Sequence, residues 1–171
     1  MPRLVVVVLL VVAVAWLGFR TVRAFDQDRH AAQAAAVLAA PDNVTYQLPP
    51  VPGEPSRPDN GPSGRLAYRP GAWLSVVDLR GLEPVAGDER YLVFLRNWAG
   101  WTLAGAARPG ADGTAQVRSA AEPRPPTIYE VVVTVAVDDA TSVPHGQPVL
   151  HWFDASLAPP RARQFDFARG A

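Results

Sequence analysis

Ile128–Val137, reading IYEVVVTVAV, is the stretch that decides the fold. Tyr129, Val131, Val133, Val135 and Val137 fall on one side of an extended chain, and Glu130 and Thr134 on the other. That alternation, in a run dominated by β-branched residues, predicts a strand with one face turned to a core. Outward from it, Ala120–Pro126 is a proline-rich loop, and Pro144–Pro148 turns the chain into a last strand at Val149–Phe153. Upstream, Trp73–Leu79 (WLSVVDL) and Arg90–Asn97 (RYLVFLRN) are β-rich runs separated by Gly81-Leu82-Glu83-Pro84 and Gly87-Asp88. Thr102–Ala107 is a shorter run. The turn Pro109-Gly110-Ala111-Asp112-Gly113 then predicts a hairpin whose second arm is Thr114–Ser119. The expected fold is mainly β: a small antiparallel β-sandwich of about six to seven strands.

The N-terminus is of another kind. Leu4–Phe19 (LVVVVLLVVAVAWLGF) holds no charge, with Arg3 before it and Arg20 and Arg23 after it. As a helix this run spans ~24 Å, and Thr21, Val22 and a snorkelling Arg20 extend it towards a ~30 Å hydrocarbon core. Trp16 and Phe19 suit the interfacial belt. The segment reads as one transmembrane anchor, Leu4–Val22, held by the lipid bilayer. A cleavable signal peptide is the competing reading, with Met1–Arg3 as its basic region and Ala13-Val14-Ala15 as its cleavage site. A positive-inside count would put the C-terminal bulk in the cytoplasm. The composition of the remainder favours the outside, and that is the expectation taken.

Between anchor and sandwich, Ala24–Ala40 is Ala-rich and reads as helix, ended by Pro41-Asp42. Pro41–Pro70 is rich in Pro, Gly, Ser, Asp and Asn and reads as an extended stalk, with Tyr46-Gln47-Leu48 as a patch that docks on the domain. The expected organisation is therefore an anchor at 1–25 and an Ala-rich helix then Pro-rich linker at 26–70. The β-sandwich follows at 71–154 and a flexible tail at 155–171.

Composition bounds the chemistry. The 171 residues carry 16 Lys plus Arg, all of them Arg, against 16 Asp plus Glu, and no Cys. Zero net charge argues against a nucleic-acid surface. The absence of Cys excludes disulfides, thiolate metal sites and thiol nucleophiles. The weight of Ala, Val, Pro and Gly is that of a GC-rich bacterial coding sequence.

His30, His145 and His151 are the histidines. The last two lie near Asp138, Asp139 and Asp154 in sequence, but no pair has the spacing of a helical ligand set, so ordinary loop polarity is the reading. Ser75, Ser119 and Ser142 belong to no Gly-x-Ser-x-Gly elbow, and without Lys there is no Ser-x-x-Lys. Glu83, Asp88, Glu89, Glu122, Glu130 and Asp154 are scattered and read as solvated charge. Arg108, Arg118, Arg124, Arg161 and Arg163 could form a basic face for anionic lipid or wall polymer. Trp73, Trp98, Trp101 and Trp152 read as core and rim packing. No enzyme is expected, and no catalytic, cofactor-binding or metal residue and no cofactor is assigned.

Several of these motifs occur together in a familiar order. They are Trp73 opening a strand, Gly81-Leu82-x-Pro84, Gly87 before Tyr91-Leu92-Val93-Phe94, and Ala104-Gly105. Pro109 to Gly113, Val133-Thr134-Val135 and Pro144-x-Gly146-x-x-Val149 complete the set. In this the region Ala72–Trp152 resembles the extracytoplasmic C-terminal domain of the anti-sigma-K factor family. The sequence departs from the family at Phe94, where Trp is usual, at Val137-Asp138-Asp139-Ala140, where Glu-Pro and a glycine pair are usual, and at His145, where Thr is usual. Family members carry a sigma-binding helical domain ahead of the membrane helix, where this sequence has Met1-Pro2-Arg3. The resemblance implies a single-pass protein of the cell membrane with its C-terminal domain extracytoplasmic. It also implies a regulatory or sensory role through protein–protein contacts in an anti-sigma/sigma system. The alternative expectation is an envelope binding module for wall polymer, lipid or an envelope protein, with no sigma-factor role.

Overall fold

The computed structural model describes residues 31–51, 61–69, 74–119, 128–137 and 139–166. The Leu4–Val22 segment lies outside the described residues. So do His30, Trp73, Glu122, Arg124, Asp138 and residues 52–60 of the Pro-rich stretch. Among the described residues no helix is long and apolar enough to cross a membrane.

The chain divides into two compact units, 1–36 and 37–171. In the first, residues 31–36 are helical, as the Ala-rich composition predicts. In the second, helix continues through 39, and Asn43 Nδ2 donates to the carbonyls of Leu38 (2.9 Å) and Val37 (3.3 Å). These are carbonyls that a helix end leaves without an intrahelical partner.

Eight strands follow: β1 (Val44–Leu48), β2 (Ser63–Tyr68), β3 (Ser75–Arg80), β4 (Arg90–Asn97), β5 (Gly100–Ala107), β6 (Ala115–Ser119), β7 (Glu130–Ala136) and β8 (Gln147–Phe153). They form two four-stranded antiparallel sheets, β1-β2-β3-β6 and β5-β4-β7-β8. One apolar cluster draws on both. Leu48, Leu66, Val77, Leu79 and Val117 come from the first sheet, and Tyr91, Val93, Leu95, Val131, Val133 and Leu150 from the second. Each fully buried side chain of this kind stabilises by about 1.5–3 kcal/mol relative to exposure.

The strands begin earlier than the sequence reading put them. β1 and β2 lie inside the stretch read as linker, and β1 pairs with β2 from Val44↔Tyr68 to Leu48↔Gly64. The physical reason is alternation. Val44, Tyr46 and Leu48 turn inward between exposed Thr45 and Gln47, enough to outweigh the flanking prolines. After Leu48 the same chain leaves the first sheet for the second. His151 N–H donates to Pro49 O (3.1 Å), and Val51 N–H donates to Val149 O (3.1 Å). One segment thus forms an edge strand of the first sheet and then covers the β8 edge of the second, blunting that ladder.

The turn at 108–114 also differs from expectation. β6 does not pair with β5; it pairs with β3, from Ser75↔Ser119 to Leu79↔Ala115. The turn carries the chain from one sheet to the other. Gly110 N–H donates to Thr114 O, and Gly113 N–H, at φ +70, donates to Gly110 O. Asp112 accepts from Thr114 N–H and Oγ1, which holds its carboxyl below the usual carboxylate range.

Candidate functional site

The β7 run that decides the fold is buried on both sides. Glu130, Val132 and Thr134, on the face away from the shared core, are as buried as Val131 and Val133. The reading of Glu130 as solvated charge is corrected here: its exposure is 0%. It is covered by the segment that follows β8, whose residues 155–166 belong to the tail read from sequence as flexible but are held by specific bonds.

Glu130 is the node of that attachment. Register places Arg96 of β4 opposite it on one side and Phe153 of β8 on the other, with His151 on the same face. Oε2 accepts from Arg96 Nη1 at 2.9 Å. Oε1 accepts from Phe165 N–H at 2.6 Å and meets His151 Nε2 at 2.9 Å. His151 Nδ1 faces Gln164 Nε2 at 3.1 Å. Both ring nitrogens thus face a hydrogen-bonding partner, the carboxylate at Nε2 and the Gln164 amide at Nδ1. Arg96 Nη1 also donates to Arg163 O (2.9 Å), and its guanidinium lies 5.1 Å from the Trp101 ring and 5.6 Å from the Tyr129 ring. Phe165 meets Trp101 edge-on at 5.6 Å. Asp154 starts the segment. Its N–H donates to Tyr129 O, and its carboxylate accepts from Ser156 N–H and Oγ, which lowers its pKa.

A buried carboxylate is costly unless its charge and its lone pairs are both matched. Here they are, by one guanidinium, one imidazole and one backbone amide. The arrangement is a clasp that fastens the C-terminal segment, and both ring nitrogens of His151 are engaged in it.

The outer face of the first sheet offers a second, open arrangement. Gln47, Arg65, Asp78 and Gln116 stand opposite one another across all four strands. Arg65 Nη2 donates to Asp78 Oδ2 (3.0 Å) and Gln116 Nε2 to Asp78 Oδ1 (2.7 Å). Arg118 Nε donates to Gln116 Oε1 (2.7 Å). Beside this ladder lies a shallow concavity of about 250 Å³ lined by Gln47, Ser63, Gly64, Arg65, Asp78 and Arg80.

The remaining sequence candidates do not converge. His145 Nδ1 is at 2.9 Å from Thr141 Oγ1 and 3.0 Å from Val143 O, with its ring edge-on to Phe94. Asp139 faces Arg90 at 3.6 Å. Asp88 is 3.9 Å from Arg108, which also donates to Gly87 O. Glu89 accepts from Ala86 N–H. Ser75 and Ser119 are buried, opposite each other on β3 and β6. Of the arginines, Arg118 is on the outer face of the first sheet, while Arg163 lies with the clasp on the second. Trp152 stacks on Tyr46 at 4.1 Å between β8 and β1. Among the described residues no group of three His, Asp or Glu side chains is placed to hold a metal ion. The clasp was missed because its members are far apart in sequence. The signal within reach was Glu130 itself, an acid inside an otherwise apolar β run. Compared with known proteins, the chain matches no protein-family model, no curated protein and no solved structure.

Proposed function

We infer that this protein is a membrane-anchored regulatory or sensory domain, a β-sandwich outside the cell membrane that acts by protein–protein contacts. The resemblance of Ala72–Trp152 to the anti-sigma-K factor C-terminal domain suggests the role, and the uncharged Leu4–Phe19 run suggests the anchor. One structural observation carries the reading furthest. The buried Glu130–His151–Arg96 cluster is spent on fastening the chain's own C-terminal segment, a use that fits an interaction domain better than a reaction centre.

The lack of cysteine makes topology directly testable. A single cysteine at exposed Ala111, in the 108–114 turn, should react in intact cells with a membrane-impermeant maleimide, and the protein should stay in the membrane pellet at alkaline pH. Labelling that appears only after lysis would overturn the extracytoplasmic placement. Recovery in the soluble fraction would overturn the anchor.

The open concavity on the first sheet favours a second reading, an envelope binding module. Arg65 and Arg80 beside Gln47 and Ser63 suit a carboxylate-bearing wall polymer. Titration with such polymer should perturb these residues and should weaken in Arg80→Ala. Saturable binding without any protein partner would favour this reading over the first.

A further inference from the structure

Trp98 is the most exposed large hydrophobic residue among those described, at 66%. It sits at the tip between β4 and β5, and its indole N–H donates to Leu157 O at 3.0 Å. The ring is thereby held facing out, with its polar atom already satisfied. Arg161 and Arg163, both exposed, belong to the same clasped segment, and Arg163 O is bonded to Arg96, two residues before Trp98.

The strand registers show which end of the unit this is. Asn97↔Gly100, Arg96↔Glu130 and Glu130↔Phe153 mark one end of the second sheet. Val44↔Tyr68, Tyr68↔Ser75 and Ser75↔Ser119 mark one end of the first. Tyr46 stacked on Trp152 joins these two ends. The chain arriving from the N-terminal apolar segment therefore enters the sheets, at Val44, at the Trp98 end. Val137 and Val143, the other large exposed hydrophobics, follow β7 at the opposite end.

We propose that the Trp98 end docks on an anionic bilayer surface, with the Trp98 ring among the lipid headgroups and Arg161 and Arg163 on lipid phosphates. This rests on the membrane anchor inferred above. The tether does not impose the contact, since residues 23–43, helical over 31–39, could still span up to roughly 55 Å. The chemistry does: Trp and Arg are the side chains that settle at a membrane interface, one by its amphipathic ring and the other by charge. A protein hot spot would instead be a ring set within a wider apolar patch, and here one ring protrudes from a tip bonded to a segment that carries two exposed arginines. Of the described acids at this end, Asp154 is engaged by Ser156 and Asp42 by Arg69, and Asp166 is exposed.

The test uses the full chain carrying Ala99→Cys, which leaves Trp98 in place, labelled with a nitroxide and reconstituted in vesicles. A second protein with Val143→Cys reports the opposite end. In vesicles containing phosphatidylglycerol, the label at 99 should read headgroup depth and that at 143 should read water. Trp98→Ser should return the label at 99 to water. Arg161→Ser and Arg163→Ser should each lower the ratio of docked to undocked domain about fivefold. A label at 99 in water in these vesicles overturns the proposal, and so does equal depth in pure phosphatidylcholine. Shielding seen only in native membranes would also overturn it, in favour of a protein partner. A chain that fails to co-float with vesicles overturns the anchor itself, and docking with it; a chain that co-floats with 99 in water overturns docking alone.

Discussion

Two arginine–carboxylate pairs span neighbouring strands on the two outer faces of this molecule, and their lengths are almost the same. Arg96–Glu130 measures 2.9 Å and Arg65–Asp78 measures 3.0 Å. Their surroundings differ. Glu130 has 0% side-chain exposure and Asp78 has 19%; Arg96 has 24% and Arg65 has 40%. The first pair lies beneath the C-terminal segment and the second faces water. Distance alone would rank them equal. Burial separates them, because a charge out of water depends wholly on its partners whereas an exposed one has solvent to fall back on.

The largest effect is expected at Glu130. Glu130→Ala removes the carboxylate that Arg96, His151 Nε2 and Phe165 N–H share, at a cost of about 3–5 kcal/mol. Chemical denaturation of the full chain in detergent measures the loss. Limited proteolysis should show new cleavage within 155–166, which a merely weakened core would not localise there. A change under 1 kcal/mol would mean that the clasp is not what holds the segment.

Next in size is Gly146, in the loop whose His145 ring covers Phe94 on the same outer face. Its φ is +83, and an added Cβ would run into Val135 O and approach Ala136 Cβ at 2.8 Å. Gly146→Ala should cost about 2 kcal/mol, read as a lower midpoint in chemical denaturation, and should disturb the His145–Phe94 ring contact, read as shifts of the Phe94 ring protons.

Alkaline titration compares the sheets through their tyrosines. Burial, and then a hydrogen bond with the Tyr46 hydroxyl, push Tyr68 of the first sheet up to about 12. Tyr129 of the second sheet is also raised by burial, but the Arg96 charge opposes the shift. A raised folded-state pKa means stability that is complete below pH 10 and is lost as pH rises from 10 through 12. That loss should be roughly 1–2 kcal/mol for Tyr68. Tyr68→Phe should flatten it, with phenolate absorbance as the readout.

Thr134 tests the covered face with the opposite sign. Its Oγ1 is buried and has no partner among the described residues, between Leu92 on β4 and Pro148, which has no N–H to offer, on β8. Thr134→Val keeps the shape and should stabilise by about 1 kcal/mol. Destabilisation in thermal melts would reveal an unrecognised partner for the hydroxyl.

How far the sequence spoke follows the same division. β4 is bounded at Arg90 and Asn97 as its composition predicts, and β7 lies within Ile128–Val137, because long β-branched runs override their neighbours. β1 is short and lies among prolines, so its clean alternation at Val44, Tyr46 and Leu48 reads as linker until Tyr68 and Leu66 are set opposite it. The β5–β6 turn shows a hairpin signature but not which strand receives β6, since pairing across sheets is decided by the whole core. Glu130 was visible as a polar interruption of β7. Its partners stand 34 residues before it and 21 and 35 after it, and nothing local links them.

The smallest expected effect closes the comparison between the two ion pairs. Asp78→Ala removes an acceptor shared by Arg65 and Gln116, yet all three side chains retain access to water. The cost should stay below about 1 kcal/mol and shrink further in high salt. A double-mutant cycle on Arg65 and Asp78 isolates the pair, and the same cycle on Arg96 and Glu130 supplies the contrast. The buried coupling should be several times larger and nearly indifferent to salt. Equal coupling in the two cycles would mean that water reaches Glu130 as freely as Asp78. The C-terminal segment would then rest on the second sheet without sealing it.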